Sequence, residues 1–342
     1  MKRAMALLLS MACPFAAQAH HSFGAFYEMT EGVELSGEIT SVFWRNPHIR
    51  FTMDVANTDG SVSSWDMEAG SVNTLERFGV GQDIIRVGSN IRVWGPASRH
   101  GLDSMFVVSI VPDGGEEVVL NPNLASRLPP PSGDPLPEEL ALDEDLVAAA
   151  EAQASGIFRV WIPESRPNTG SGEHIWPLTP AGQAARDAWD PLADDPALQC
   201  IPPGVPVAMD NPYPIDFTDN GDTIVMRLEE WDGVRTIHMR SDARPGDLDR
   251  PYLGFSVGSW DGNTLTVRTT DVDYPFFDDV GTPQSPDAVI VEHFTLSEDN
   301  TRLDWEATIT DPVNFTEPAT LSGNWRWSPG TQIKRYECEL EG

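Results

Sequence analysis

Two adjacent histidines, His20 and His21, follow a small-residue motif at Ala17-Gln18-Ala19. Two basic residues near the start and an apolar run over 4–12 precede that motif, a pattern typical of a secretory signal peptide too short to span a membrane. We therefore predict a signal peptide over residues 1–19. Cleavage at its end makes His20 the first residue of the mature protein, and a free α-amino group beside an imidazole is a chelating pair that suits a copper ion.

Further imidazoles lie in the same half of the chain. His21, His48 or His100 could complete a nitrogen-only ligand set with His20, and nitrogen ligation together with the affinity order of the divalent metals favours copper over zinc. Imidazole is mostly neutral near pH 7, so its lone pair is available to a metal. The alternative is structural: His21 and His48 cap turns or pack on the domain, and His20 is a frayed terminus.

Asn46-Pro47-His48 follows an apolar stretch that ends at Trp44. An Asn-Pro pair favours a turn, and a rigid turn between two strands is a good place from which to present an imidazole. Glu68 ends a later predicted strand, where a carboxylate usually pairs with a nearby cation. We expect Arg50 or Arg77 to be that cation.

The chain has 342 residues, 40% of them hydrophobic, which is enough for two domains of ordinary size. Its 53 acidic and 22 basic residues give a formal net charge of −31. Such a surface repels the phosphates of nucleic acids and anionic lipid headgroups, so we expect a small molecule or a metal ion as the partner, and no nucleic acid. No apolar run after the signal peptide is long enough to cross a bilayer, which predicts a soluble periplasmic or secreted protein without a membrane span.

The cysteines also indicate an oxidising compartment. Cys13 falls in the predicted signal peptide, which leaves Cys200 and Cys338 as an even pair. In an exported protein such a pair predicts a disulfide, and one that closes so long a loop contributes at most about 4–5 kcal/mol in the chain-entropy model. Two buried free thiols are the alternative.

Residues 20–113 predict a small β domain. Apolar and polar types alternate over much of 33–42, and Asn57-Thr58-Asp59-Gly60 is a hairpin signal. A short helix is predicted over 71–78, ended by the glycine that follows. About five short strands with one helix indicate an OB-like small barrel. A Pro-rich and acidic linker, with a possible helix toward its end, follows over 114–155.

Residues 156–342 are rich in aromatic and β-branched residues, with turn signals such as Asp261-Gly262-Asn263 between short runs. This pattern predicts a larger antiparallel β barrel or curved sheet, so the fold class is mainly β throughout. We place its strands at 223–231, 234–239, 254–260, 264–270, 289–296, 302–309, 320–327 and 332–338. The expected disulfide would tie the beginning of this domain to its last strand.

Several motifs carry a resemblance to known sequences. Through His20-His21-Ser22-Phe23, Asn46-Pro47-His48 and the stretch from Trp65-x-x-Glu68 to Asn73-x-Leu75, residues 20–112 resemble the uncharacterised exported proteins of domain-of-unknown-function family 6152 (DUF6152). The second half is similar to a domain that often follows it. The features that carry this similarity are Pro177-Leu178-Thr179-Pro180-Ala181-Gly182, Cys200-x-Pro202-Pro203-Gly204, Gly258-Ser259-Trp260-Asp261-Gly262-Asn263-Thr264-Leu265, Asp311-Pro312 and Tyr336-Glu337-Cys338.

That second domain usually has a histidine before the serine of its Gly-x-Ser stretch, where this chain has Phe255. The resemblance implies an exported protein of two domains and names no reaction.

These observations support a leading hypothesis and an alternative. The leading one is an exported binding protein with a copper site formed by His20 and completed from His21, His48 and His100. The alternative is a calycin-like barrel, an enzyme or carrier that acts on a small apolar molecule. Its candidate acid–base residues are Glu292, Glu229 and His238, because a carboxylate and an imidazole facing one cavity could exchange protons with a ligand. A structural accessory of an exported complex is a third possibility.

Overall fold

The computed structural model describes residues 23–125, 127–128, 142–167, 169, 174–191, 193–244 and 251–340. The predicted signal peptide, His20 and His21 lie outside these residues. Within the described ranges, no helix has the length and apolar character needed to cross a membrane.

The first domain is a curled seven-stranded sheet that forms a half-barrel. Its strands in the described chain are β1 (Val33–Phe43), β2 (Arg50–Ala56), β3 (Val62–Glu68), β4 (Asn90–Gly95), β5 (Ser104–Phe106), β6 (Ser109–Pro112) and β7 (Val118–Val119). They lie in the order β5-β3-β2-β1-β4-β6-β7, and only β3 and β5 pair in parallel among them. The prediction of a small β domain is confirmed, with an open sheet in place of a closed barrel.

Local signals explain how this sheet is connected. The predicted hairpin joins β2 to β3, with Gly60 at a φ of +87° that glycine adopts without steric cost. The predicted helix is α2 (Val72–Arg77), and the Ser71 side chain caps it by accepting a hydrogen bond from the Thr74 backbone N–H at 3.1 Å.

Packing against the first sheet continues beyond residue 113. Helix α1 (Phe23–Phe26) and helix α3 (Pro122–Ala125) share a buried apolar cluster with Phe106 of β5 and with Val108, which lies between β5 and β6. Helix α4 (Glu144–Gln153) follows in the region predicted to be helical, and its N-cap is Asp143.

The second domain is a closed barrel of nine strands within the described residues. They are β8 (Val160–Ser165), β9 (Ile215–Asp219), β10 (Thr223–Leu228), β11 (Gly233–His238), β12 (Phe255–Asp261), β13 (Thr264–Thr270), β14 (Val289–Leu296), β15 (Arg302–Thr310) and β16 (Ala319–Trp327). Around the barrel the order is β10-β11-β12-β13-β14-β15-β16-β8-β9.

Closure of an odd number of strands requires at least one parallel pair. Here that pair is β11 and β12, joined at Ile237↔Ser256 and His238↔Val257. Helix α5 (Pro180–Asp187) lies between β8 and β9 in the chain. Short 3-10 helices occupy Gln82–Ile84, Pro196–Gln199, Val207–Met209, Glu230–Asp232 and Pro251–Leu253.

The predicted barrel strands need two corrections. Residues 332–338 do not form the last strand of the barrel; in the described chain they lack regular structure apart from an isolated bridge between Cys338 and Asn46 of the first domain. Strands β8 and β9, which complete the barrel between β16 and β10, were not predicted from the sequence. We call residues 332–340 the tail.

The predicted disulfide is present. The Cys200 and Cys338 Cα atoms are 5.9 Å apart, and the bond joins the loop after the 3-10 helix Pro196–Gln199 to the tail. It therefore fixes the tail to the barrel domain.

The barrel interior is apolar except for one polar layer. Strand alternation turns Ile290, Glu292 and Phe294 inward and leaves His293 outside. Arg235 and Glu292, which are 1% and 0% exposed, form an ion pair in this interior. Ser256 and Thr269 accept further Arg235 hydrogen bonds at 3.1 and 2.7 Å.

We expect Glu292→Leu alone to destabilise the protein by about 3–5 kcal/mol, because it leaves the buried Arg235 guanidinium without its counter-charge. The double variant Arg235→Met/Glu292→Leu removes both charges and should recover most of that loss. Denaturant unfolding measures both free energies. Arg240→Met, on an exposed pair with Asp242, is the control and should leave the midpoint unchanged. A double variant no more stable than the single one would contradict this account.

Candidate functional site

A buried cluster in the first domain brings together Tyr27, His48 and Glu68, which are 1%, 6% and 2% exposed. His48 lies just before β2 and Glu68 ends β3, and these two strands pair with Arg50 opposite Glu68. The sheet register therefore sets the His48 Nδ1 atom against Glu68 Oε1. Tyr27, which follows α1, donates its hydroxyl to Glu68 Oε2 at 2.8 Å. We call these three residues the first-domain cluster.

The chemistry of this cluster follows from its central carboxylate. A carboxylate at Nδ1 favours the tautomer in which Nδ1 carries the proton and Nε2 carries the lone pair. Burial raises the pKa of Tyr27 well above its ordinary value, and the charge of Glu68 adds to the rise. Tyr27 is therefore a hydrogen-bond donor throughout the physiological range, and it holds the Glu68 carboxylate in place.

The two arginines predicted as partners of Glu68 form ion pairs with other carboxylates. Arg50 pairs with Asp66, and Arg77 pairs with Glu229 of the second domain. The register sets Arg50 opposite Glu68 as well, whereas Arg77 lies at the domain interface.

His100 lies on the same side of the first domain as α1. Its exposed ring packs on Phe26 with 5.4 Å between the ring centroids, and Phe26 in turn contacts Tyr27 at 4.8 Å. Aromatic packing through Phe106 links Tyr27 to His48, at 5.8 and 6.3 Å. In the part of the chain that the structure describes, no three His, Cys, Asp or Glu side chains are grouped so as to hold a metal ion. Two of the four predicted ligands, His20 and His21, lie outside that part.

Glu229, a predicted acid–base candidate, lies at the contact between the two domains. Its carboxylate is 0% exposed. Asn73 and Arg77 from α2 donate to Oε1 at 2.9 and 2.8 Å. Arg77 and the Lys334 backbone N–H donate to Oε2 at 2.5 and 2.9 Å. Four donors satisfy this carboxylate, so its role is to join the domains.

The tail completes the same interface. Asn46, in the predicted turn before His48, donates to the Tyr336 carbonyl oxygen and to Asn73 Oδ1, the latter at 3.0 Å. On the barrel side, Asp232 accepts hydrogen bonds from the Tyr336 and Glu337 backbone N–H groups at 2.9 and 3.2 Å. The turn that precedes the candidate imidazole is therefore fixed by contacts with the second domain.

The other two acid–base candidates lie elsewhere. Glu292 accepts from Arg235 and from the Trp305 indole N–H, the latter at 3.1 Å, so both of its oxygens are engaged inside the barrel. His238 is half-buried on the outer face of β11, where its ring lies 5.1 Å from that of Phe255. The structure thus distributes the three candidates over the interface, the interior and the outer surface.

Sequence reasoning missed a group of carboxyls at one end of the barrel. Burial raises the pKa of Glu230 from 4.5 to about 8, with Asp210 adding to the rise and Arg166 opposing it. Asp279 keeps an accessible surface, yet enough protein surrounds its carboxyl to raise its pKa well above 3.8, with Asp195 and Asp210 adding to the effect. These residues come from separate loops, and no spacing in the sequence indicates that the loops meet.

Comparison with known proteins bears on the first domain. Residues 7–105 match DUF6152, described as a family of unknown function. The predicted resemblance is confirmed over that range, while the barrel lies outside the match. No curated protein matches the chain. A solved structure of the mitochondrial single-stranded DNA-binding protein Rim1 from S. cerevisiae is 14% identical and covers 24% of this chain and 92% of its own, with a TM-score of 0.20. That similarity is too low to support a comparison of function.

We expect Arg77→Met to destabilise the protein by about 3 kcal/mol, because it leaves Glu229 charged and buried between the first domain and the barrel. Unfolding in denaturant measures the change. Arg86→Met removes an arginine that is 68% exposed and should have little effect. Equal effects of the two substitutions would contradict the role given to Glu229.

The raised pKa of Glu230 predicts a pH dependence of stability. A carboxyl whose pKa is higher in the folded than in the unfolded state stabilises the protein below the unfolded pKa, and this contribution is lost as pH rises from 4.5 to about 8. Glu230→Gln should therefore make the protein more stable than the parent at pH 8 by about 1–2 kcal/mol, and similar to it at pH 4.5. Unfolding measured across this range tests the point, with the exposed Glu144→Gln as control. A parent and variant with parallel pH profiles would refute it.

Proposed function

We propose that this protein is an exported, periplasmic or secreted binding protein that holds a copper ion between its mature N-terminus and His48. The α-amino group and imidazole of His20 supply two nitrogen ligands, and the His48 imidazole supplies a third. The observation that carries the proposal is the contact between His48 Nδ1 and the buried Glu68 carboxylate.

This contact matches what metal-binding imidazoles need. A ligating histidine almost always donates its second ring N–H to a carboxylate, carbonyl or water, which orients the ring and makes the ligating nitrogen more basic. Glu68 plays that part for His48, and Tyr27 holds Glu68 from the other side.

The position of α1 supports the participation of His20. Phe23 begins α1, and His20 lies three residues before it, a stretch of chain that spans at most about 10 Å. Tyr27 follows the same helix and reaches Glu68, so α1 lies beside the first-domain cluster. Among the other predicted ligands, His100 lies beside Phe26, and His21 adjoins His20 in the sequence. Either can supply a fourth nitrogen.

Export is supported by two independent features. The leader over 1–19 has the composition of a secretory signal peptide. The Cys200–Cys338 disulfide is of the kind that persists outside the cytosol. The net charge of −31 also favours a cationic ligand over an anionic one.

Copper(II) titration of the processed protein, followed by electron paramagnetic resonance, tests the proposal. Protein that begins at His20 should bind one copper ion with nitrogen hyperfine structure. A Gly-Ser-Gly-Ser extension before His20 moves the amine away from the ring and should weaken binding at least about tenfold, since a chelating ligand is lost. Because the extension leaves the folded domains unchanged, this result does not depend on the folding of a variant.

Two substitutions test the His48 side of the site. His48→Gln should weaken copper binding further than Glu68→Gln, and the latter should cost about 10–100-fold in affinity as an outer-shell change. Glu38→Gln, at an exposed position of β1, is the matched control and should bind as the parent does. Copper affinity that survives both the extension and His48→Gln would reject the proposed site.

A further inference from the structure

The outer face of the barrel carries an open groove of about 450 Å³. It lies across β13 to β16 and is bounded by the end of β8. Its side chains come from two adjacent rows of the sheet. One row pairs His293 with Glu306 and Glu306 with Ser322, and the next pairs Thr295 with Asp304 and Asp304 with Asn324. We call this the outer groove.

Two backbone features border the outer groove. The register between β16 and β8 shifts between Asn324 and Trp325, which places a bulge at the edge of the groove. Gly323 lets the chain at the end of β8 come close, since a Cβ there would lie 2.8 Å from the Ser165 carbonyl oxygen. The outer groove is thus formed by backbone features as well as by side chains.

The groove contains a buried acceptor without a donor. Asn324 lines it, and its Oδ1 atom is shielded from solvent with no hydrogen-bond partner. Buried polar atoms in folded proteins are nearly always hydrogen-bonded, and an exception calls for a ligand, a water or an ion. Because the atom itself has no contact with solvent, a rotation of the Asn324 amide about its Cβ–Cγ bond would turn it toward a donor on a molecule in the groove.

The other groups in the groove indicate which chemical class of ligand it could bind. The Glu306 carboxylate is exposed and is adjacent in the sheet to Asp304, which Arg302 holds at 2.9 Å. Hydroxyl groups of Thr264, Thr295 and Ser322 complete a lining that is rich in acceptors and poor in apolar surface. The carboxylates of the groove would repel an anion, and its lining offers little apolar surface against which an apolar molecule could pack. A molecule with several neighbouring hydrogen-bond donors fits.

We propose that the outer groove binds a saccharide. Neighbouring strands of a sheet are about 5 Å apart, and outward residues along one strand are about 7 Å apart. Acceptors at these spacings match the distances between the hydroxyl groups of a sugar ring. Asn324 and Glu306 accept from the sugar, and the threonine and serine hydroxyls both donate and accept. This site is independent of the copper proposal, because it lies on the other domain and uses none of the same residues.

Isothermal titration calorimetry of the full mature protein tests the site with two probes, cellotetraose and the tetramer of glucosamine. We expect saturable binding of one sugar chain per protein with a Kd of about 1 mM or below. Asn324→Ala and Glu306→Gln should each weaken it about tenfold, since each removes a hydrogen bond to the ligand. Asn90→Ala and Glu38→Gln, which change the same residue types at exposed sites of the first domain, should not.

The two probes separate recognition of the sugar from attraction of charge. Binding of both probes, weakened by the groove variants, supports the proposal. Binding of the glucosamine tetramer alone, lost in high salt and equal in all variants, would mean attraction by the acidic surface only and would overturn it. Absence of binding for either probe at millimolar concentrations, in protein whose unfolding curve is normal, would overturn it as well.

Discussion

Glu229 is a charged group with no access to water, held between a helix of one domain and a tail that belongs to the other. Its four donors are contributed by α2 and by the Lys334 backbone N–H. A buried charge is tolerated only while its donors remain in place, so removal of any one of them affects the others. The position of α2, the path of the tail and the turn that carries Glu229 are therefore mutually dependent.

This dependence reaches the first-domain cluster through Asn46. That residue bonds to Asn73 and to the tail, and the chain then continues within two residues to His48. The imidazole is therefore positioned from two sides, by Glu68 within its own sheet and by the second domain through the preceding turn. His48 is therefore only two residues along the chain from the domain interface.

Sequence patterns correctly predicted the mainly β class, the α2 helix, seven of the barrel strands and the disulfide. Each of these depends on a local signal, namely alternation, capping or the number of cysteines. They did not give β8 and β9. Val160–Ser165 includes a proline and Ile215–Asp219 is only five residues long, so neither shows a clear period. The hydrogen-bond partners of Glu68, Glu229 and Glu292 could not be predicted from the sequence either, because strand register and the contact between the domains determine them. The acidic residues around Glu230 meet only through loops.

The parallel contact between β11 and β12 rests on two residue pairs, as does the contact between β8 and β9, whereas most neighbouring strands of the barrel share five or more. Arg235 and Ser256 join β11 and β12 from inside, so a polar bond reinforces one of the two shortest ladders. If this join parted, two strand edges would be exposed together, and exposed edges recruit strands of other molecules. Self-association of this barrel would then begin at one specific line along its wall.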